Sequence, residues 1–139
     1  MKQITLLLLA LTLIILTACQ SRPTEISGEN IDTAGGSYKN VSVNELATML
    51  KNKDFVFVNV HIPFEGDIAA TDLSVSYDQI AQNLSQLPSD KNAKIVLYCR
   101  SGRMSEIAAE ELVSLGYTNI WNLEGGMVQW EQAGFDLEK

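Results

Sequence analysis

Four consecutive apolar residues, Ile95–Tyr98, end in Cys99, pass through the polar turn Arg100-Ser101-Gly102, and lead directly into a segment of helical period. An apolar run this short, bounded by Lys94 and a glycine turn, describes a strand buried on both faces. A buried strand that feeds a helix commits the chain to crossover connections and so to parallel strand pairing. The pattern recurs along the chain. Residues 55–60 are a second apolar run, interrupted only by Asn59, and residues 119–123 are a third. Ser42-Val43-Asn44-Glu45 has the form of a capping box and opens a helix through Leu46, Met49 and Leu50. Ser76 and Gln79 predict a second cap, for a helix reaching Gln86 before Pro88. Met104, Ile107, Ala108, Leu112 and Leu115 mark one face of a helix that stops at Gly116. Gly125-Gly126 opens a last helix carrying Val128 and Trp130 and closing near Gly134, while residues 61–76 read as irregular. Strands alternating with helices predict an α/β domain whose parallel central sheet is flanked by helices on both faces.

The amino terminus reads as a separate element. Lys2 precedes a nearly continuous apolar run over residues 4–16, shorter than the ~20 residues a membrane-spanning helix needs, so it reads as an export signal. Leu16-Thr17-Ala18-Cys19 resembles the lipobox of bacterial lipoproteins, in which cleavage precedes the cysteine and the cysteine carries the lipid. Residues 1–18 are therefore expected to be a signal peptide and Cys19 a lipidation site. Residues 19–37, with Ser21, Pro23, Ser27, Gly28, Gly35 and Gly36, are expected to be a flexible tether, and residues 38–139 the folded domain. Loss of Lys2 with the signal takes the formal charge of the 139-residue chain from −7 to −8. An acidic domain of this size argues against nucleic acid as a partner and leaves the lipid as the link to a membrane, with the domain outside the cytoplasm on its periplasmic or extracellular face. One compact domain, read as a monomer, is all this length supports.

Lipidation of Cys19 leaves Cys99 as the only thiol. A thiol at a strand-to-helix turn faces backbone N–H groups and the positive end of a helix dipole, which favour the nucleophilic thiolate. Arg100 and Arg103 form a local positive island on an acidic chain, and Ser101 and Gly102 let successive N–H groups turn inward. Both features, with the polar turn, point to an accessible reactive cysteine rather than an inert buried one. The alternative for the arginines is surface pairing with Glu106 or Glu110.

Tyr98-Cys99-Arg100-Ser101-Gly102-Arg103-Met104-Ser105 resembles the active-site loop of rhodanese-type sulfurtransferases. Leu115-Gly116-Tyr117 and Leu123-Glu124-Gly125-Gly126-Met127-Val128-Gln129-Trp130 resemble that family's carboxy-terminal signature. The likeness spans residues 42–135. It implies the rhodanese-like fold and a Cys99 persulfide formed from a small anionic sulfane donor such as thiosulfate and discharged to cyanide or a thiol. In that mechanism the backbone of Arg100, Ser101, Gly102, Arg103 and Met104 cradles the persulfide, while Arg100 and Arg103 receive the donor; no cofactor or metal is called for. The resemblance leaves open a carrier or partner-binding module that loads sulfur without turnover.

The upstream half departs from the family pattern. Asn59-Val60-His61 stands where many members have Asp-Val-Arg, and Gly66-Asp67-Ile68 where they have Gly-His-Ile, removing an expected ion pair. His61, the only histidine, reads as a hydrogen-bonding replacement beneath the loop rather than as a catalyst. Glu65, Asp67 and Asp72 are read either as acids bordering the cleft or as plain surface charges. A Cys-x5-Arg phosphate loop would need arginine where Ser105 stands, which disfavours phosphatase chemistry.

Overall fold

The computed structural model describes residues 25–139; the expected signal peptide and the Cys19 lipidation site lie outside them. A six-stranded sheet runs in the order β1-β2-β6-β5-β3-β4. Its strands are β1 (Glu29–Thr33), β2 (Gly36–Val41), β3 (Val56–Asn59), β4 (Leu73–Ser74), β5 (Ile95–Tyr98) and β6 (Ile120–Leu123). All neighbours are parallel except β1 and β2, which form an antiparallel hairpin at one edge. The sheet is thus mostly parallel, as expected, with one antiparallel edge.

Period-two alternation sends successive residues of β5 to opposite faces. Ile95, Leu97 and Cys99 join the core beneath helix α2 (Arg103–Ser114) and a 3₁₀ segment, Tyr77–Gln86. Val96 and Tyr98 join the core on the other face, with α1 (Val43–Leu50) and α3 (Gly126–Gln132). The Ser42 capping box forms as read: Ser42 Oγ accepts the Glu45 N–H at 3.4 Å, and Glu45 Oε2 accepts the Ser42 N–H at 2.9 Å.

Three expectations change. Residues 29–37 are not tether but the β1–β2 hairpin, closed by a two-residue turn at Ala34 and Gly35. Gly35-Gly36 is the chemistry of a tight hairpin turn as well as of a linker, and isolated from its partner it reads as the latter. The turn abuts the end of α2, where a Cβ on Gly35 would lie 3.0 Å from Ser114 Cα. The Tyr77–Gln86 segment is 3₁₀ rather than α: the Ser76 hydroxyl bonds the Asp78 carboxylate instead of capping, Asn83 breaks the helical dihedrals, and only Ile80 is buried. Finally, α2 is rotated from the expected face. Ser105, Ala108, Ala109, Leu112 and Val113 are buried, whereas Ile107 and Leu115 are exposed. Ser105 must face the cysteine loop, and the buried stripe follows from it at helical spacing. The short strand β4 also lies in the stretch read as irregular.

Ile31 of β1 packs on the core beneath α2. Removing residues 25–35 is therefore expected to lower the melting temperature by about 5–10 °C relative to the chain beginning at residue 25. Equal melting temperatures by calorimetry would restore the tether reading.

Candidate active site

The loop after β5 is bent so that Cys99 Sγ lies beneath its own turn. Gly102 N–H donates to Sγ at 3.1 Å, and the Ser105 hydroxyl, with one hydrogen to give, is within donating reach of both Sγ at 3.5 Å and the Gly102 carbonyl at 2.8 Å. Gly102 has φ +101°, a conformation L side chains rarely adopt, so this turn requires glycine. Cys99 is only 1% exposed, against the expectation of an accessible thiol. The turn is polar, but its polarity is backbone N–H aimed inward at the sulfur. The first N–H groups of a helix have no carbonyl within it; in α2 the Glu106 N–H is the one that reaches the Gly102 carbonyl, at 2.9 Å.

A second helix holds the loop from the other side. Met127 N–H donates to the Cys99 carbonyl and Val128 N–H to the Arg100 carbonyl, both at 2.9 Å. This approach is possible because residue 126 lacks a Cβ, which would lie 2.2 Å from the Cys99 carbonyl oxygen. Four residues on, Trp130 is buried, stacks on Phe135 at 4.3 Å between ring centroids, and donates its indole N–H to the Asp136 carbonyl. The Gly-Gly-x-x-x-Trp pattern therefore has a mechanical meaning: the glycine admits α3 to the cysteine loop, and the tryptophan anchors α3 to the domain.

Beneath the loop, Asn59 offers the hydrogen bonds of an uncharged amide where the family pattern has an ion pair. Its Nδ2 donates to the Gly66 carbonyl at 3.0 Å and to Asp67 Oδ1 at 2.9 Å, and its Oδ1 accepts the His61 N–H at 3.0 Å. Tyr98 Oη donates to Asp67 Oδ1 at 3.1 Å and accepts the Ile68 N–H at 3.0 Å. Burial, foremost, pushes the Tyr98 phenol well above its ordinary range, so it stays a neutral donor. Asp67 is thus part of the scaffold. So is Asp72, which sits at the amino-terminal end of β3, bonded by Lys53 and by the Phe57 N–H at 2.7 Å, and does not border the site. Burial raises the Asp72 pKa, but the Lys53 and Phe57 bonds outweigh it and hold the carboxyl below its usual range.

Glu65 does border the site. Its Oε2 accepts from Arg100 Nη1 at 2.8 Å and lies 2.9 Å from His61 Nε2. The Arg100 hydrogen bond chiefly, with help from His61 and against desolvation, holds the Glu65 carboxyl below its usual range. An ionised Glu65 can only accept, so His61 carries its hydrogen on Nε2. The His61 side chain is 8% exposed and its Nδ1 has no partner. This matches the reading of His61 as a hydrogen-bonding residue under the loop. The expected pairing of the arginines with Glu106 or Glu110 does not occur: Arg100 pairs with Glu65, and Arg103 makes no ion pair among the described residues. On the far side of the loop a cleft of about 870 Å³ is lined by Ser101, Glu106, Glu124, Gly125 and the ends of α1 and α3. Arg100 is thus paired with Glu65 while Glu106 and Glu124 line the cleft, so the positive island expected from the turn alone is offset. The sequence allowed Glu65 to border the cleft, but its pairing with Arg100, 35 residues away, was not legible there. No group of three or more metal-ligating side chains occurs among the described residues, and none of them forms a helix long and apolar enough to cross a membrane.

Residues 42–133 match the rhodanese-like domain family. Among curated relatives, a sulfurtransferase of Allochromatium vinosum is 30% identical over 87 residues, covering 61% of this chain and 79% of that protein. A tRNA uridine(34) hydroxylase of Erwinia tasmaniensis is 29% identical over 112 residues, covering 76% of this chain but only 31% of the relative's length. Among solved structures, a rhodanese-related protein of Thermoplasma volcanium superposes with a TM-score of 0.62 at 27% identity, covering 72% of this chain and 97% of that one. With the cysteine loop, its α3 brace and most of the chain matched, this protein belongs to the rhodanese-like domain family.

Proposed function

We propose that the protein is a sulfurtransferase that moves sulfane sulfur through a persulfide on Cys99. The observation that carries this reading is the loop geometry: a buried sulfur receiving Gly102 N–H and Ser105 Oγ, with the free amino end of α2 beside it. Such a cradle stabilises negative charge on sulfur before and after a sulfur atom is added. The Cys99 thiolate attacks the outer sulfur of a donor such as thiosulfate. The Sγ–S bond forms as the donor's S–S bond breaks, and sulfite departs with the electron pair. A thiolate or cyanide acceptor then attacks the outer sulfur of the persulfide, and Cys99 leaves as thiolate, completing a two-step exchange. The backbone from Arg100 to Met104 holds the added sulfur. Arg103 is the cation free to receive an anionic donor, since Arg100 is held by Glu65. The named relative from Allochromatium supports transfer chemistry in this family. The sequence Leu16-Thr17-Ala18-Cys19 supports a domain exported and tethered by lipid to a membrane, acting outside the cytoplasm.

Given thiosulfate or cysteine persulfide, the purified protein is expected to gain about 32 Da on Cys99, and Cys99→Ser no mass at all. Loading followed by release to cyanide or thiol identifies an enzyme. Loading without release identifies a carrier, and no loading from either donor ends the sulfurtransferase reading. Ser105→Ala removes a hydrogen bond to the sulfur, so its loading rate should fall by about fivefold with the fold intact by circular dichroism. An unchanged rate would show that the backbone alone holds the sulfur. Cys19→Ala should abolish incorporation of labelled fatty acid in a bacterial host; continued labelling would refute the anchor.

A further inference from the structure

The unusual element beside the cysteine loop is the chain His61–Glu65–Arg100. Glu65 is supplied from a loop 35 residues before Arg100, and a single oxygen, Oε2, takes both contacts, 2.8 Å from Arg100 Nη1 and 2.9 Å from His61 Nε2. His61 is itself held: its backbone N–H donates to Asn59 Oδ1 at 3.0 Å and its ring is 8% exposed. The buried ring therefore aims Glu65 at Arg100, whose own side chain is 52% exposed and would otherwise be free to turn over the loop. An arginine next to the nucleophile is the natural receiver of a donor with two negative charges, because its fork matches an oxyanion. Here one arm of that fork, Nη1, is already held by a carboxylate. With Glu106 and Glu124 lining the adjoining cleft, the entrance opposes a second negative charge rather than attracting it.

We propose that Glu65 is a specificity-determining residue which, by withholding Arg100, turns the Cys99 site away from dianionic donors such as thiosulfate and toward persulfides carried on thiols without net negative charge. This rests on the sulfurtransferase reading of Cys99. The step is balanced without further reagents. For a donor R–S–SH, the Cys99 thiolate attacks the outer sulfur, the Sγ–S bond forms, the donor's S–S bond breaks, and the electron pair leaves on R–S⁻. The proton stays on the transferred sulfur, and the leaving group carries one negative charge where sulfite would carry two. Arg103, which makes no ion pair among the described residues, and the helix end suffice for that charge.

The test compares kcat/KM for thiosulfate and for cysteine persulfide, a zwitterionic donor, in the full chain and its variants. Glu65→Gln keeps the side-chain size, removes the charge, and frees Arg100. It should raise kcat/KM for thiosulfate about fivefold, as for a partly exposed ion pair, and leave the persulfide value within twofold. Arg100→Gln, added to the Glu65→Gln background, should abolish the gain for thiosulfate. A purely structural role for Glu65 would lower both donors together, and that result, an unchanged donor ratio, or a parent that prefers thiosulfate would overturn the proposal. Absence of any added mass on Cys99 from either donor would instead overturn the sulfurtransferase reading beneath it.

Discussion

The contact between the cysteine loop and the amino end of α3 is the constraint on which the site depends. Two N–H groups, from Met127 and Val128, reach the carbonyls of Cys99 and Arg100 at 2.9 Å. These carbonyls turn outward toward α3 as the loop N–H groups turn inward toward the sulfur, so one set of bonds arranges the other. The approach leaves no room for a Cβ at residue 126 and would fail with one. Bringing two helix amino ends to one short loop also concentrates partial positive charge there without any side chain.

Electrostatics around this loop follow from pairing rather than from composition. Arg100 and Arg103 stand out on an acidic chain, yet Arg100 is paired with Glu65 and the cleft on the loop's other side carries Glu106 and Glu124. The field that acts on the sulfur is therefore mostly that of the backbone, which is rigid and close. The charged side chains act farther out and are screened by solvent, so they bear on which donors approach more than on whether the thiol reacts. Below the loop, Asn59, Asp67 and Tyr98 form a hydrogen-bonded layer that leaves no buried charge without a partner. It does the supporting work of an ion pair without the desolvation that burying two opposite charges demands.

Much of this was legible residue by residue. The runs at 55–60, 95–98 and 119–123 became β3, β5 and β6, and the Ser42 box capped α1 through the bonds its spacing predicts. Elsewhere a local signal had two meanings. Gly35-Gly36 suits a linker and a hairpin turn equally, and only the presence of β2 beside β6 makes the hairpin worth ordering. Ser76 offered a cap, but Asp78 took its hydroxyl. The apolar positions of α2 fit two faces offset by one residue, and Ser105, a polar residue that hydrophobic period ignores, decided between them.

The sequence by itself determined the cysteine turn, the strand that leads into it, its glycine, the layered α/β order and membership of the family, because each is written in patterns a few residues long and governed by local backbone geometry. Only the tertiary structure decided that Cys99 is buried, that Glu65 pairs with Arg100, and that Asn59 and His61 form a hydrogen-bonded support. Those facts join residues tens of positions apart. The charge a donor meets is set by what stands within a few ångströms in space, and spacing along a chain does not record it.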